Sequence, residues 1–507
     1  MTLSLAFCSA VVGAYTMVDI PPPHPEAIAQ STVFVDAHGD YLGRRGPVDR
    51  QDVPLAQVPL PVQEAVIAAE NRSFRTDSGI APTAIARAVL AAVTGGSRQG
   101  GSTITQQYVK NALLTPEQTL SRKAKEALIA VKLDRTHTKE TILEGYLNTV
   151  YFGRGAAGIQ AAARNYFGVN ASQLTVSQGA ALAAIINLPS YYEKAGSDPK
   201  VTTTLQRRWA WVLDAMAASG AITPNQRASA TFPAFRYYPP GRTEGQRQYL
   251  IDAATTEAVK KLGITQEELA RGGYTIHTTF DLALQDIAAE TVRTRAESAT
   301  RARPASNGTQ LHTAIAAVVP GDGAIRLLYG GADYARQLFN DALHGAIEAG
   351  TALKPLTGIR LNQPLDRIRH NPAPTTVQVA TAYAALAANG HYAAPYTVAK
   401  ITRNGHTLYT HPAITPATAR TTTRLRIPAP NSPRATHTGS AAHRTAWTTT
   451  YNPRLALTTA LFAEHPATTT KPATPALLTS LTGTQPPTKA TAEMTADLWT
   501  SILQTKR

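Results

Sequence analysis

Cysteine is all but missing from this chain. Cys8 is the only one in 507 residues, which excludes an intrachain disulfide and any cysteine metal cluster. Lysine and arginine are absent before Arg44, and no charge appears before Asp19. A cleaved secretory signal would want a basic leading region, so that reading, like a buried segment, is the weaker one. The apolar run from Leu3 to Val18 is at the short end for a membrane span and is expected to be an uncleaved anchor that begins inside a longer one. There is no zinc pattern and no aromatic-basic strand motif. The net charge of +15 is therefore read as attraction to anionic lipid headgroups or a phosphorylated substrate rather than nucleic acid. The length and 43% apolar content give room for two or three domains with real cores.

The chain divides by pattern into an anchor (1–20), a spacer opened by Pro21-Pro-Pro-His-Pro25 (21–50), a helical domain (51–235), a linker region (236–308), an α+β domain (309–468) and a Thr/Pro-rich, loosely packed tail (469–507). Three-to-four-residue apolar spacing predicts helices at 61–72, 82–94, 103–114, 119–134, 138–149, 156–166, 175–187 and 200–219. Tyr274 to Thr279 alternates as a strand. The β-rich run Thr313 to Tyr329 brackets Pro320-Gly-Asp-Gly323 as a hairpin.

The densest chemistry lies between Glu70 and Phe167. Glu70-Asn-Arg-Ser-Phe74 is followed by Gly100-Gly-Ser-Thr-Ile-Thr-Gln-Gln107 with Lys110-Asn111. Arg122-Lys123-x-x-Glu126 comes next, then Lys139, Glu144, Tyr146 and Asn148, and finally Phe152-Gly153 and Tyr166-Phe167. Glu70 ends a helix whose apolar face is Val62, Ala65, Val66 and Ala69. Phe74 beside it could desolvate the carboxylate and raise it toward a useful general base. A surface glutamate paired with Arg72 or Arg75 is the plain alternative. The glycine-led loop, with Ser102 or Thr103 as helix cap, offers N–H groups to phosphate oxygens. Gln106, Gln107 and Lys110 follow at one-turn spacing. Glu126 sits one turn from Arg122 and Lys123, an ordinary ion-pair arrangement taken alone.

Together these blocks closely resemble the family 51 glycosyltransferase domain of class A penicillin-binding proteins, over roughly residues 50–220 and in the same order and spacing. The resemblance implies a mostly α, lysozyme-like domain beside the membrane. It implies polymerisation of lipid II onto a growing glycan strand, with membrane lipids and other cell-wall synthesis proteins as partners. A divalent metal (Mg or Mn) is a possible cofactor, and no organic cofactor is implied. By the same resemblance Glu70 is the base and Glu126 the second glutamate. Lys110, Arg122 and Lys123 face the pyrophosphate; Ser102, Thr103, Gln106, Gln107 and Asn111 line the donor side. Three positions depart from the pattern: Asn71 for aspartate, Asp77 for histidine and Gln178 for glutamate.

The run Ala314 to Pro355 resembles the start of that family's transpeptidase domain, an α+β, serine β-lactamase-like fold. Thr351 stands in the nucleophile's place with Lys354 three residues on, as in Ser-x-x-Lys on a helix. No Ser-x-Asn element follows, since no serine lies between Asn307 and Asn431. His437-Thr438-Gly439 replaces Lys-Thr-Gly, exchanging a permanent cation for a side-chain type mostly neutral at pH 7. A transpeptidase-like half that has lost its chemistry is therefore expected. The competing readings are a bifunctional enzyme with Thr351 as nucleophile, a lysozyme-like glycan hydrolase, and an inert cell-wall scaffold.

Overall fold

The computed structural model describes residues 16, 18–78, 102–114, 120–235, 245–302, 309–357, 363–412, 434–465, 474–478 and 486–505, without side chains at 120–122, 124, 296–302 and 503–505. Most of the expected anchor, the helix expected at 82–94, Gly100-Gly101 and the Arg122 side chain lie outside the described residues. Among those described, no helix is long and apolar enough to cross a membrane. The chain forms two compact units. One comprises Met1–Thr32, Gly46–Arg242 and Ala270–Gly273; the other comprises Val33–Arg45, Thr243–Leu269 and Tyr274–Arg507.

The first unit is helical: α1 (Leu60–Glu70), α2 (Ile104–Tyr108), α3 (Leu120–Thr136), α4 (Lys139–Thr149), α5 (Ile159–Phe167), α6 (Val176–Ile186) and α7 (Pro199–Ala218). In α1, Val62, Ala65 and Val66 are fully buried, as their spacing predicts, while Ala69 is only partly covered. α6 approaches α1 so closely that a Cβ at Gly179 would meet the Val62 side chain at 2.8 Å. The neighbouring Gln178 closes a capping box on α6: its Oε1 accepts from the Thr175 N–H (3.0 Å), and Thr175 Oγ1 accepts from the Gln178 N–H (3.2 Å). Glutamine serves this box as well as glutamate does, which gives that departure from the family pattern a physical account. The helix expected over 103–114 is α2 followed by a π-helical turn, Val109–Leu113, which carries Lys110 and Asn111.

The second unit holds two sheets. The first runs β2 (Tyr41–Arg45), β1 (Thr32–Val35), β3 (Tyr274–Thr278), β6 (Val398–Arg403), β7 (His406–Thr410). The stretch 21–50, expected as a spacer, thus contributes two strands, with β1 parallel to β3. The region 236–308, expected as linker, contributes β3, α8 (Arg247–Leu262) and α9 (Leu282–Ala302). The second sheet is antiparallel, in the order β5 (Ile325–Tyr329), β4 (Gln310–Val318), β10 (Leu455–His465), β9 (Thr445–Asn452), β8 (Ala435–Ala441). The expected hairpin is β4–β5.

Alternation along β4 serves two cores. Ala314, Ala316 and Val318 pack with α10 (Thr376–Ala387), while Ile315 and Ala317 pack on the other face. That other face is closed by α9 and α11 (Pro487–Thr505), where Leu498 and Trp499 are buried. The tail is therefore a core element at this point, contrary to the loose packing its composition implied. Thr495 donates to Thr459 (2.9 Å), and Thr491 shares a hydrogen bond with Thr448 (2.8 Å), so its threonines satisfy one another inside.

Candidate active site

α1 delivers Glu70 as its last residue. Asn71 then takes a non-helical backbone and turns the chain away. Neither neighbouring arginine pairs with Glu70: Arg75 binds Glu64 (2.5 Å), and Arg72 lies over the Trp211 ring at 5.3 Å. The Glu70 partner is an amide. Gln107 Nε2 donates to Glu70 Oε2 at 2.9 Å and to the Ser102 carbonyl at 3.3 Å, while Tyr146 Oη donates to Gln107 Oε1 at 2.9 Å. The tyrosine fixes which way the amide faces, so its N–H₂ end meets the carboxylate. Burial pushes the Glu70 carboxyl above the ordinary 4.5; the Gln107 hydrogen bond and the charges of Arg208 and Lys110 return only part of that shift. Burial, reinforced by the Glu70 charge, holds the Tyr146 phenol well above its usual range, so it remains a donor.

Ser102 links this carboxylate to the second one. Its backbone oxygen receives Gln107, and its hydroxyl receives Lys123 Nζ at 3.2 Å. Lys123 in turn pairs with Glu126. Glu126 is 1% exposed while the Lys123 side chain is half exposed, so the pair joins a buried carboxylate to a cation at the surface. It holds Lys123 in place. Thr103 and Gln106 are buried and form a reciprocal cap on α2: Gln106 Oε1 accepts from the Thr103 N–H (3.0 Å), and Thr103 Oγ1 accepts from the Gln106 N–H (3.2 Å). Lys110 is exposed and Asn111 half-buried on the π-helical turn.

Two contributors are not evident from the motifs. Arg208, on α7, acts on Glu70 through its charge, donates to the Ala184 carbonyl (3.2 Å), and lies over Trp211 at 5.2 Å. The basic-aromatic run Arg207-Arg208-Trp-Ala-Trp211 is the signal that could have found it. Tyr146, which stands in the motif blocks without an assigned role, is fully buried and spends its hydroxyl on orienting Gln107. No three His, Cys, Asp or Glu side chains gather as a ligand set among the described residues, so the residues present do not form a protein cage for a divalent ion.

In the second unit Thr351 and Lys354 lie in a turn leading to a single 3-10 turn, Lys354–Leu356, where an α-helix is expected. The Thr351 N–H donates to the Ser440 carbonyl (3.2 Å), the Ser440 N–H donates to Thr351 Oγ1 (3.1 Å), and His437 Nε2 donates to the Thr351 carbonyl (3.0 Å). The close fit requires glycine on both sides. A Cβ at Gly350 would meet the Ser440 oxygen at 2.1 Å, and one at Gly439 would meet the Ala352 nitrogen at 2.4 Å. Thr438, beside Gly439 on β8, is exposed.

A family model, Transglycosylase, matches residues 38–217. Residues 38–217 thus carry a transglycosylase domain. Penicillin-binding protein 1A of Mycobacterium tuberculosis is 38% identical over 330 residues, covering 63% of this chain and 38% of that protein. Penicillin-binding protein 2a of Streptococcus pneumoniae is 36% identical over 370 residues, 67% of this chain and 49% of that protein. The matched stretch is thus under half the length of either penicillin-binding protein. A crystal structure of penicillin-binding protein 1A from Haemophilus influenzae overlays at TM-score 0.43 and 16% identity, covering 86% of this chain and 88% of that one, too loose a fit to carry an argument.

Proposed function

We propose that the helical unit is an inverting peptidoglycan glycosyltransferase that polymerises lipid II into β-1,4 glycan strands. The observation that carries this reading is a glutamate whose carboxyl is raised by burial, oriented by an amide, and joined through Ser102 to a lysine held by a second glutamate. The Glu70 carboxylate takes the proton of the acceptor sugar 4-hydroxyl. The freed oxygen attacks the donor anomeric carbon from the face opposite the diphosphate. The departing undecaprenyl pyrophosphate keeps the bonding electron pair, and Lys110, Lys123 and Arg122 neutralise its charge. The same reading puts the chain on the extracytoplasmic face of the cell membrane, held by a single-pass anchor, with other cell-wall synthesis proteins as partners.

Labelled lipid II, separated by product length, tests this. Glu70→Gln should cut polymer formation about a hundredfold or more; shortening of preformed glycan by the wild type would favour the hydrolase instead.

The transpeptidase-like half is read as inert. Acyl transfer needs a hydroxyl aimed at a carbonyl and N–H groups open to its oxyanion. Here the Thr351 hydroxyl accepts from the Ser440 N–H, and the Thr351 N–H donates to the Ser440 carbonyl. Threonine's extra methyl crowds the attack further. Fluorescent penicillin should leave the protein unlabelled. Labelling that disappears in Thr351→Ala would instead make the chain bifunctional.

A further inference from the structure

Asn71 and Asp77 both depart from the pattern the helical domain resembles, and in the structure they touch. Asn71 Nδ2 donates to Asp77 Oδ2 at 2.6 Å. The other carboxylate oxygen of Asp77 takes Lys139 Nζ at 3.0 Å, and the same ammonium donates to the Asp77 carbonyl at 2.7 Å and to Asp134. These are three donor contacts for three ammonium protons. The Asp77 side chain is 2% exposed and Asp134 9%, and Lys139 pairs with both of these buried carboxylates. Lys139 also stands 4.9 Å over the ring of Phe74, which is fully buried. Position 71 must therefore donate. A carboxylate there would face the buried Asp77 carboxylate at hydrogen-bond distance with no proton between them.

Lys139 and Tyr146 lie on α4 roughly two turns apart, hence on one face. One reaches the residue after Glu70 through Asp77. The other reaches Glu70 itself through Gln107. We propose that Asn71, Asp77 and Lys139 are positioning residues for the Glu70 base, and that Asn71 and Asp77 form a directional pair that can be exchanged only together. This rests on the reading of Glu70 given above.

The exchange keeps the side-chain hydrogen bonds at position 77, with the Lys139 ion pair there becoming a hydrogen bond to a neutral amide. In Asn71→Asp/Asp77→Asn the new amide oxygen at 77 accepts from Lys139, its N–H₂ donates to the new carboxylate at 71, and net charge is unchanged. Asn71→Asp alone should lower kcat for lipid II polymerisation about tenfold or more, with KM within about twofold, because a displaced base slows chemistry more than binding. It should also melt at a lower temperature. The double exchange should return kcat to within about threefold of wild type and restore the melting temperature, as a strongly coupled pair does.

Wild-type kcat and melting in Asn71→Asp would overturn the proposal. So would a double exchange that melts like wild type yet keeps the low kcat of the single variant, or one that rescues neither quantity. If the wild-type protein makes no polymer, the base assignment fails, whereas the melting cycle needs no substrate: additive shifts in it would overturn the pair independently.

Discussion

The two units treat similar chemical groups in opposite ways. In the helical unit a carboxylate is buried enough to raise its pKa, yet its recorded partner is a side-chain amide held by a tyrosine. In the second unit the Thr351 hydroxyl accepts from the Ser440 N–H and the Thr351 N–H donates to the Ser440 carbonyl, a fit held close by Gly350 and Gly439. A reactive group needs side-chain partners that orient it without consuming it. At Thr351 the partners are backbone groups of β8 instead, held close by the two glycines.

The largest expected effect sharpens the first half of this contrast. Glu70→Gln should reduce glycan polymerisation about a hundredfold or more, the scale of a lost general base, with the melting temperature little changed. Next comes Gln107→Ala. It removes the strongest of the groups that lower the Glu70 pKa, so the carboxyl rises further and the acid limb of the rate profile moves to higher pH. The rate at neutral pH should fall about tenfold, the worth of one hydrogen bond to a charged group. Gln178→Ala should leave the chemistry alone and cost about 1 kcal/mol of stability through the lost cap on α6, read from the melting temperature. The smallest effect breaks the second half if it fails. Thr351→Ser should still take no fluorescent penicillin, because the Ser440 N–H remains in place to occupy the new hydroxyl.

Much of the helical unit is legible in the chain itself, because α1, α4 and α7 bury residues at helical spacing and α4, α6 and α7 open at side-chain caps. The order of the polar blocks also points to Glu70, Gln107 and Lys123, which the structure joins. What is illegible is long-range. β1 and β2 find their sheet only by pairing with β3, far along the chain. The directional link between Asn71 and Asp77 runs through Lys139, on another helix. Arg208 reaches Glu70 from α7. In the tail, abundant Thr and Pro mask the stripe Met494, Leu498, Trp499 and Ile502, whose helical spacing closes a core. The expected helix at Thr351 fails locally: the left-handed Gly350 (φ +51°) and the contacts to β8 hold a turn there.

The rate of lipid II polymerisation as a function of pH, measured for the wild type and Gln107→Ala, tests the role of Glu70 most directly. The wild-type rate should rise with pH through an apparent pKa above 4.5, the ordinary glutamate value, with the variant's limb displaced further upward. An acid limb at the ordinary value, or one that Gln107→Ala leaves unmoved, would contradict Glu70 as the buried base.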